Sequence, residues 1–449
     1  MIHAFSFNHN NSESYFIWDI ESGSLHTVDK AAFLVCKKKL ETLTEVEAFE
    51  LAKIPETDVL EIENEFLELE SLGTLNAPEK RYTLKNTGEI KALCLHICHD
   101  CNLKCSYCFA KEGTYNTERD YMSFDVGKHA LDFLFSHSGE RHNLEVDFFG
   151  GEPLMNFEVV KQLVSYAKQT AEKLGKHISF TMTTNGVLLN DEAIAYLNAE
   201  MDNVVISIDG RKEIHDKLRL TRNDKGSYDI AMKNALKFRA VRGDKRYYIR
   251  GTFTANNVDF SNDALHLNDC GFDQISLEPV VLPDSSPLAL TREHLPEILK
   301  QYDILAEEYI ARRKGDKWFN FFHFMIDLEN GPCAIKRLNG CGAGKEYLAV
   351  TPVGEIYPCH QFVGSKYVMG NVMSGEFNRE IQHVFENINV YKKEDCSKCI
   401  AKYYCSGGCL ANSYNFNGDL LKPYKLSCEM MRKRLENSLA IYALEKLGL

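Results

Sequence analysis

The sequence predicts an α/β protein whose centre is an open, partial barrel of six strand–helix units, with a small α+β unit before it and a cysteine-rich unit after it. Three observations predict this. After residue 89, apolar strand-like runs alternate with helix-like stretches; the first ninety residues read instead as short strands followed by helices; and the cysteines gather at 101–108 and from 333 to 428. Strand–helix alternation with apolar strands implies parallel strands, right-handed crossovers and helices on the outside.

The elements follow in chain order. Phe5–Asn8, Ser14–Asp19 and Ser24–Val28 read as strands separated by polar turns. Asp29 can cap a helix over Ala31–Lys39. Thr44-x-x-Glu47 is a capping box, and Val59, Ile62, Phe66 and Leu69 mark one face of a third helix. Residues 1–90 carry eight basic and seventeen acidic side chains, a net −9 out of −12 for the chain. Such a unit is either a solvated extension or a docking module. In the second case a strand edge accepts an extended peptide while Glu61, Glu65 and Glu68 favour a basic one.

The six central strands are expected at Lys91–Ile97, Leu144–Phe149, His177–Thr184, Asn203–Ile208, Tyr247–Thr254 and Gln274–Pro279. Helices are expected at Asp125–Phe135, with Ser123 as N-cap, then at Phe157–Leu174, Asp191–Asn198 and Tyr228–Arg239. Ligands of parallel α/β folds gather at the carboxyl ends of the strands. Four such ends carry polar or glycine-rich segments: the cysteine loop from 101, Gly150-Gly151-Glu152-Pro153, Thr183-Thr184-Asn185-Gly186 and Ser207-Ile208-Asp209-Gly210. A long helix at Thr291–Arg313 follows. The predicted domains are 1–85, 86–328 and 329–449.

Composition narrows the chemistry. A net charge of −12 argues against a phosphate-binding surface, so nucleic acid is not an expected partner. No apolar run of membrane-spanning length and no signal-peptide pattern is visible, and the sequence predicts a cytoplasmic protein. Fifteen cysteines in a reducing compartment then point to metal or redox work rather than disulfides. In Cys101-x3-Cys105-x2-Cys108, three thiols can cap three irons of a cubane iron–sulfur cluster and leave the fourth iron open for chemistry. Zinc is the competing metal, although its ligand pairs usually come as C-x2–4-C with a distant second pair. Cys98 offers a fourth thiol, but Cys94, His96 and Cys98 alternate with Leu93, Leu95 and Ile97 on a strand, where a thiol packs as a small hydrophobe.

The segment Cys101–Phe109, with Tyr107 before the last cysteine, resembles the signature of the radical S-adenosylmethionine (SAM) superfamily. That superfamily also carries a Gly-Gly-Glu-Pro segment after its second strand and a partial (β/α)6, TIM-like barrel. The resemblance implies that SAM chelates the open iron and that one electron releases a 5′-deoxyadenosyl radical. It also implies that Gly150, Gly151 and Glu152 face the amino group of SAM, that Tyr107 neighbours the adenine, and that Ser207 and Arg219 contact ribose and carboxylate. No general base stands out; Asp209 and Glu278 are acidic strand-end residues only by location.

The distal cysteines resemble the SPASM domain, which houses two auxiliary [4Fe-4S] clusters and brings the total to three. By that resemblance Cys396, Cys399, Cys405 and Cys428 hold the outer cluster, and Cys341, Cys359 and Cys409 hold the inner one. Its fourth position is left between Cys333, with seven residues between it and Cys341, and a cysteine of the substrate. The whole arrangement resembles the maturases of six-cysteine peptides among the thioether-forming sactipeptide and ranthipeptide enzymes. Their N-terminal, winged-helix-like α+β domain recognises a leader peptide on its third strand and third helix, here about Ser24–Val28 and Val59–Leu72. The implied partners are a cysteine-rich ribosomal precursor peptide and an unidentified electron donor, with no membrane. Oxidation of a protein Cys or Ser to formylglycine is the alternative reaction. A non-catalytic iron–sulfur or zinc protein that binds peptides is the alternative of another class.

Overall fold

The computed structural model describes residues 1–83, 86–329 and 334–447. Two sheets organise it. The first is three-stranded and antiparallel, with β1 (Ile2–His9), β2 (Ser12–Asp19) and β3 (Leu25–Val28) in that spatial order. Helices Lys30–Lys39, Glu45–Leu51 and Glu56–Ser71 follow. The first two start at the caps read from the sequence: the Asp29 side chain accepts from the Ala32 N–H, and the Thr44–Glu47 capping box is complete; the third starts at Glu56, ahead of the expected Val59.

The second sheet holds the six parallel strands β4 (Ala92–Cys98), β5 (Asn143–Gly150), β6 (His177–Thr184), β7 (Asn203–Ser207), β8 (Arg246–Phe253) and β9 (Gln274–Pro279), each paired with the next. Every residue of β4 is buried, as expected of a strand covered on both faces. Helices Phe124–His137, Phe157–Lys173, Asp191–Glu200, Tyr228–Arg242 and Phe260–Asp269 lie between strands, and Leu295–Arg313 follows the sixth.

The six strands are not the whole sheet. A two-residue strand, β10 (Asn320–Phe321), pairs with β9, and β11 (Tyr347–Val350) pairs in parallel with β4. The antiparallel strands β12 (Glu355–Tyr357), β13 (Gly370–Asn371) and β14 (Glu376–Phe377) then continue the same sheet to eleven strands. The cysteine-rich segment thus covers the otherwise open edge of β4. It is fused to the barrel by backbone hydrogen bonds rather than hung from it.

The N-terminal sheet is sandwiched. One face, with Ile17, packs on Val35, Phe66 and Leu75; the other, with Phe5, Phe7, Phe16 and Trp18, joins the main core. The alternative of a solvated extension is therefore corrected: both faces of this sheet are covered, and Trp18 is only 1 % exposed. Among the described residues no helix is long and apolar enough to cross a membrane.

Candidate functional site

The carboxyl ends of the six strands surround a cavity of about 740 Å³. It is lined by the loop after β4 (Cys101, Cys105, Tyr107, Cys108), Gly150 and Gly151 after β5, Asn185 after β6, Ser207 of β7, Arg250 and Thr252 of β8, and Glu278 of β9. Residues from the first and the last strand share one wall-to-wall space, so the sheet curves around it. The opposite side is closed by the cysteine-rich segment and the last helix, Lys425–Leu447, through Cys341, His360, Cys405, Cys409, Met430 and Arg434.

The chain makes the cysteine loop fit by omitting side chains where it turns. A Cβ on Gly151 would lie 1.9 Å from the Asp100 carbonyl oxygen, and one on Gly150 would lie 2.4 Å from that of Cys98. Gly150 also has φ +121°, in the region that favours glycine. The Gly151 and Glu152 N–H groups donate to the Cys98 and Asp100 carbonyls, tying the loop to the end of β5. Cys98 itself is fully buried, and its thiol donates to the Asp100 and Glu152 carbonyls, so it is a packed thiol of the strand.

Glu152 does not line the cavity. Its carboxylate accepts from the Thr184 hydroxyl at 2.8 Å, the Asn185 N–H at 2.7 Å and the Leu154 N–H at 3.1 Å, so it braces the end of β6. Burial pushes it up to about 7 against those donors. Arg219 and Tyr107 share one partner. Arg219 Nε lies 3.1 Å from Asp209 Oδ1, and the Tyr107 hydroxyl donates to both Asp209 oxygens at 2.9 and 2.7 Å. The guanidinium lies over the Tyr107 ring, 5.6 Å from its centroid. Although burial alone would lower it, the Asp209 carboxylate holds Arg219 well above the usual arginine range. Asp209 is thereby committed to this pair and to the Thr252 N–H.

The thiols fall into three groups. Cys101, Cys105 and Cys108 lie within one another's electrostatic reach. Cys396, Cys399, Cys405 and Cys428 form a second such group. Cys341, Cys359 and Cys409 form a third. Among the described residues none of these sets closes into a site for a single metal ion; donors that are all sulfur suit an iron–sulfur cluster instead. Cys333 lies outside the described residues. Burial raises the Cys105 thiol to about 11, so taking up metal there must release its proton.

Of the far wall the sequence singled out only Glu278, by its place at a strand end. Glu278 accepts from the Ser276 hydroxyl at 3.2 Å, faces His323 Nε2 at 3.2 Å and stands 4.0 Å from Arg250, while the Arg434 guanidinium donates to the Tyr302 hydroxyl and lies 3.1 Å from His323 Nδ1. Burial alone would raise Glu278, but His323, Arg250 and Arg434 hold it far below the usual carboxylate range. A carboxylate held down in this way is a weak base. His323, His360 and Arg434 come from segments with no sequence period or motif to mark them, so only folding brings them here.

Comparison with known proteins agrees with this geometry. A 4Fe-4S single cluster domain family matches residues 88–232, and the SPASM iron-sulfur cluster-binding domain family matches 341–400. The mycofactocin maturase MftC of Mycolicibacterium smegmatis is 30% identical over 334 residues, covering 72% of this chain and 79% of that protein. A cysteine-type anaerobic sulfatase-maturating enzyme of Clostridium novyi is 26% identical over 335 residues, covering 70% of this chain and 86% of the enzyme. The structure of Streptococcus suis SuiB bound to its precursor peptide SuiA shares the fold, with TM-score 0.53 and 16% identity over 92% of this chain and 95% of that one. The chain therefore belongs to the radical SAM/SPASM family of peptide-modifying enzymes, whose cofactors are SAM and [4Fe-4S] clusters.

Proposed function

We propose that this enzyme joins cysteine sulfur to a carbon of another residue within one ribosomally made, cysteine-rich precursor peptide. The observation that carries the reading is the shared cavity: Cys101, Cys105 and Cys108 on one side and Cys341 and Cys409 on the other face a single space of about 740 Å³. The first three thiols hold the SAM-binding cluster in this reading, and the other two groups hold the auxiliary ones. When bound, reduced cluster and SAM supply a 5′-deoxyadenosyl radical that takes a hydrogen atom from the acceptor carbon.

The chain's own residues aim and enclose that chemistry. Gly150 and Gly151 present bare backbone to the methionyl part of SAM. Arg219, fixed by Asp209, offers its remaining donors to a carboxylate, and Tyr107 and Ser207 border the adenosyl part. Val280, Val281, Phe322, Met430 and Met431 line the rest of the cavity and keep water from the reacting carbon. Forming each C–S bond removes a hydrogen atom from carbon and a proton and an electron from the thiol. Cys341, Cys359 and Cys409 would hold an auxiliary cluster, which would supply a site for that thiol and an acceptor for its electron; its fourth position would fall to Cys333 or to the substrate sulfur. A leader peptide on β3 and on helix Glu56–Ser71 would bring the substrate; SuiB bound to SuiA supports a precursor peptide as partner.

Formylglycine formation is the second reading, supported by the sulfatase-maturating relative. Incubating reduced enzyme with SAM and co-expressed cysteine-rich peptides separates the two. Thioether formation predicts loss of two hydrogens per crosslink and thiols that no longer alkylate. An aldehyde product would sink it, and release of no 5′-deoxyadenosine would favour a binding protein.

A further inference from the structure

One buried carboxylate at the end of the N-terminal sheet reaches the turn between Cys399 and Cys405. Glu21, just past the end of β2, is 8 % exposed and ion-pairs with the Lys402 ammonium, which is 2 % exposed. The second Glu21 oxygen accepts from the Tyr403 hydroxyl at 3.0 Å and the Lys80 N–H at 3.3 Å. Lys402 belongs to the single turn that joins two cysteines. Its N–H donates to the Cys399 carbonyl at 3.1 Å, and the Cys405 N–H donates to that of Ala401 at 2.8 Å. Next to it the Tyr404 ring packs on Trp18, with centroids 5.8 Å apart. Apart from Glu21, the acidic group beside Lys402 is Glu79, at 3.7 Å and 39 % exposed.

The turn carrying Glu21 is itself fixed. Asp19 accepts from the Glu21 and Ser22 N–H groups with one oxygen and from the Ala77 N–H with the other, at 2.8, 3.2 and 2.7 Å. A charge held so rigidly inside the protein acts on its neighbours with little screening.

We infer that Glu21 is a positioning residue for the outer auxiliary cluster: it neutralises Lys402 and clamps the Cys399–Cys405 turn, making the N-terminal sheet a structural part of that cluster's site. The inference rests on Cys396, Cys399, Cys405 and Cys428 being the outer ligands. Neither β2 nor Lys402 belongs to the ligand set, yet removing the carboxylate leaves the Lys402 ammonium buried with only the part-exposed Glu79 carboxylate at 3.7 Å, on the turn that runs from Cys399 to Cys405. An uncompensated positive charge favours the reduced, more negative cluster. It also loosens the turn that holds two of the four ligands.

The test uses the full-length, reconstituted enzyme and reads iron content and the outer cluster's midpoint potential by EPR-monitored titration. Glu21→Gln is expected to raise that potential or to lose about four irons per chain, one cubane. Glu21→Gln combined with Lys402→Met, which removes both charges, is expected to bring the potential back. Tyr403→Phe, which removes a single hydroxyl, should act in the direction of Glu21→Gln but more weakly, and serves if that variant does not fold. Cys399→Ala is the reference for the ligand reading and should lose the same irons. Full iron and an unchanged potential in Glu21→Gln and Tyr403→Phe, with iron lost in Cys399→Ala, overturns the inference alone. Full iron in Cys399→Ala overturns the ligand reading and the inference with it.

Discussion

Glycine 151 shows how little tolerance the Cys101–Cys108 loop has. Its missing side chain lets the Asp100 carbonyl approach to where a Cβ would stand 1.9 Å away, and both contacting groups are backbone. Gly151→Ala must therefore push the cysteine loop off the end of β5. The expected cost is about 1–3 kcal/mol of stability together with loss of SAM binding, measured by thermal unfolding and by SAM titration. A variant that unfolds like wild type and still binds SAM would contradict the packing described. Cys105→Ala probes the neighbouring chemistry. It should abolish 5′-deoxyadenosine release while the two auxiliary clusters keep about eight irons per chain, read by iron assay. The thiol spacing made Cys101, Cys105 and Cys108 legible in the sequence, because ligands of one cluster on one loop must be close in the chain. Glu278, His323 and Arg434 were not legible as a group, since they meet across β9, a short turn and the last helix.

Among the elements, helix Glu56–Ser71 carries the clearest test of peptide docking. Glu61, Glu65 and Glu68 recur at helical spacing and are exposed, while Phe66 points into the core beside Ile17 and Val35. Reversing all three to lysine should weaken binding of a basic leader peptide roughly ten-fold or more, followed by fluorescence anisotropy, with peptide-independent SAM cleavage unchanged. Equal binding by the reversed helix would remove it from the docking surface. Truncation is a poorer probe, because Phe16 and Trp18 of β2 sit in the main core; Trp18→Ala alone should cost about 3–5 kcal/mol. Helix caps were readable residue by residue, as with Asp29, Thr44 and Ser123, because capping is local chemistry, whereas strand ends were readable only roughly, β1 starting at Ile2 and not at Phe5. The added strands β10 to β14 were not. They are two to four residues long, and their pairing comes from the sheet edge they join rather than from any period of their own.

At the scale of the whole molecule, regular structure is dense around β4 to β9 and sparse between residues 390 and 410, where the helices Glu394–Ser397 and Lys402–Cys405 are single turns. So short a fold has little of its own to hold it and should depend on metal. Removing iron by chelation under reducing conditions is expected to speed amide exchange across residues 394–409 while β4 to β9 stay protected, and to lower the apparent Tm by roughly 5–10 °C. Uniform exchange across the chain would mean that the clusters are not what orders this segment. The sequence by itself determined the strand–helix alternation, the cysteine groups and the class of chemistry, because periodicity, capping and ligand spacing are properties of neighbours along the chain. Folding alone brought Cys341, Cys405 and Cys409 to the cavity that Cys101, Cys105 and Cys108 line, set β11 on the edge of β4, and placed Glu21 against Lys402 from 381 residues away. Those contacts lie far apart in the chain, and burial of charge and pairing of sheet edges are settled only once the core has closed around them.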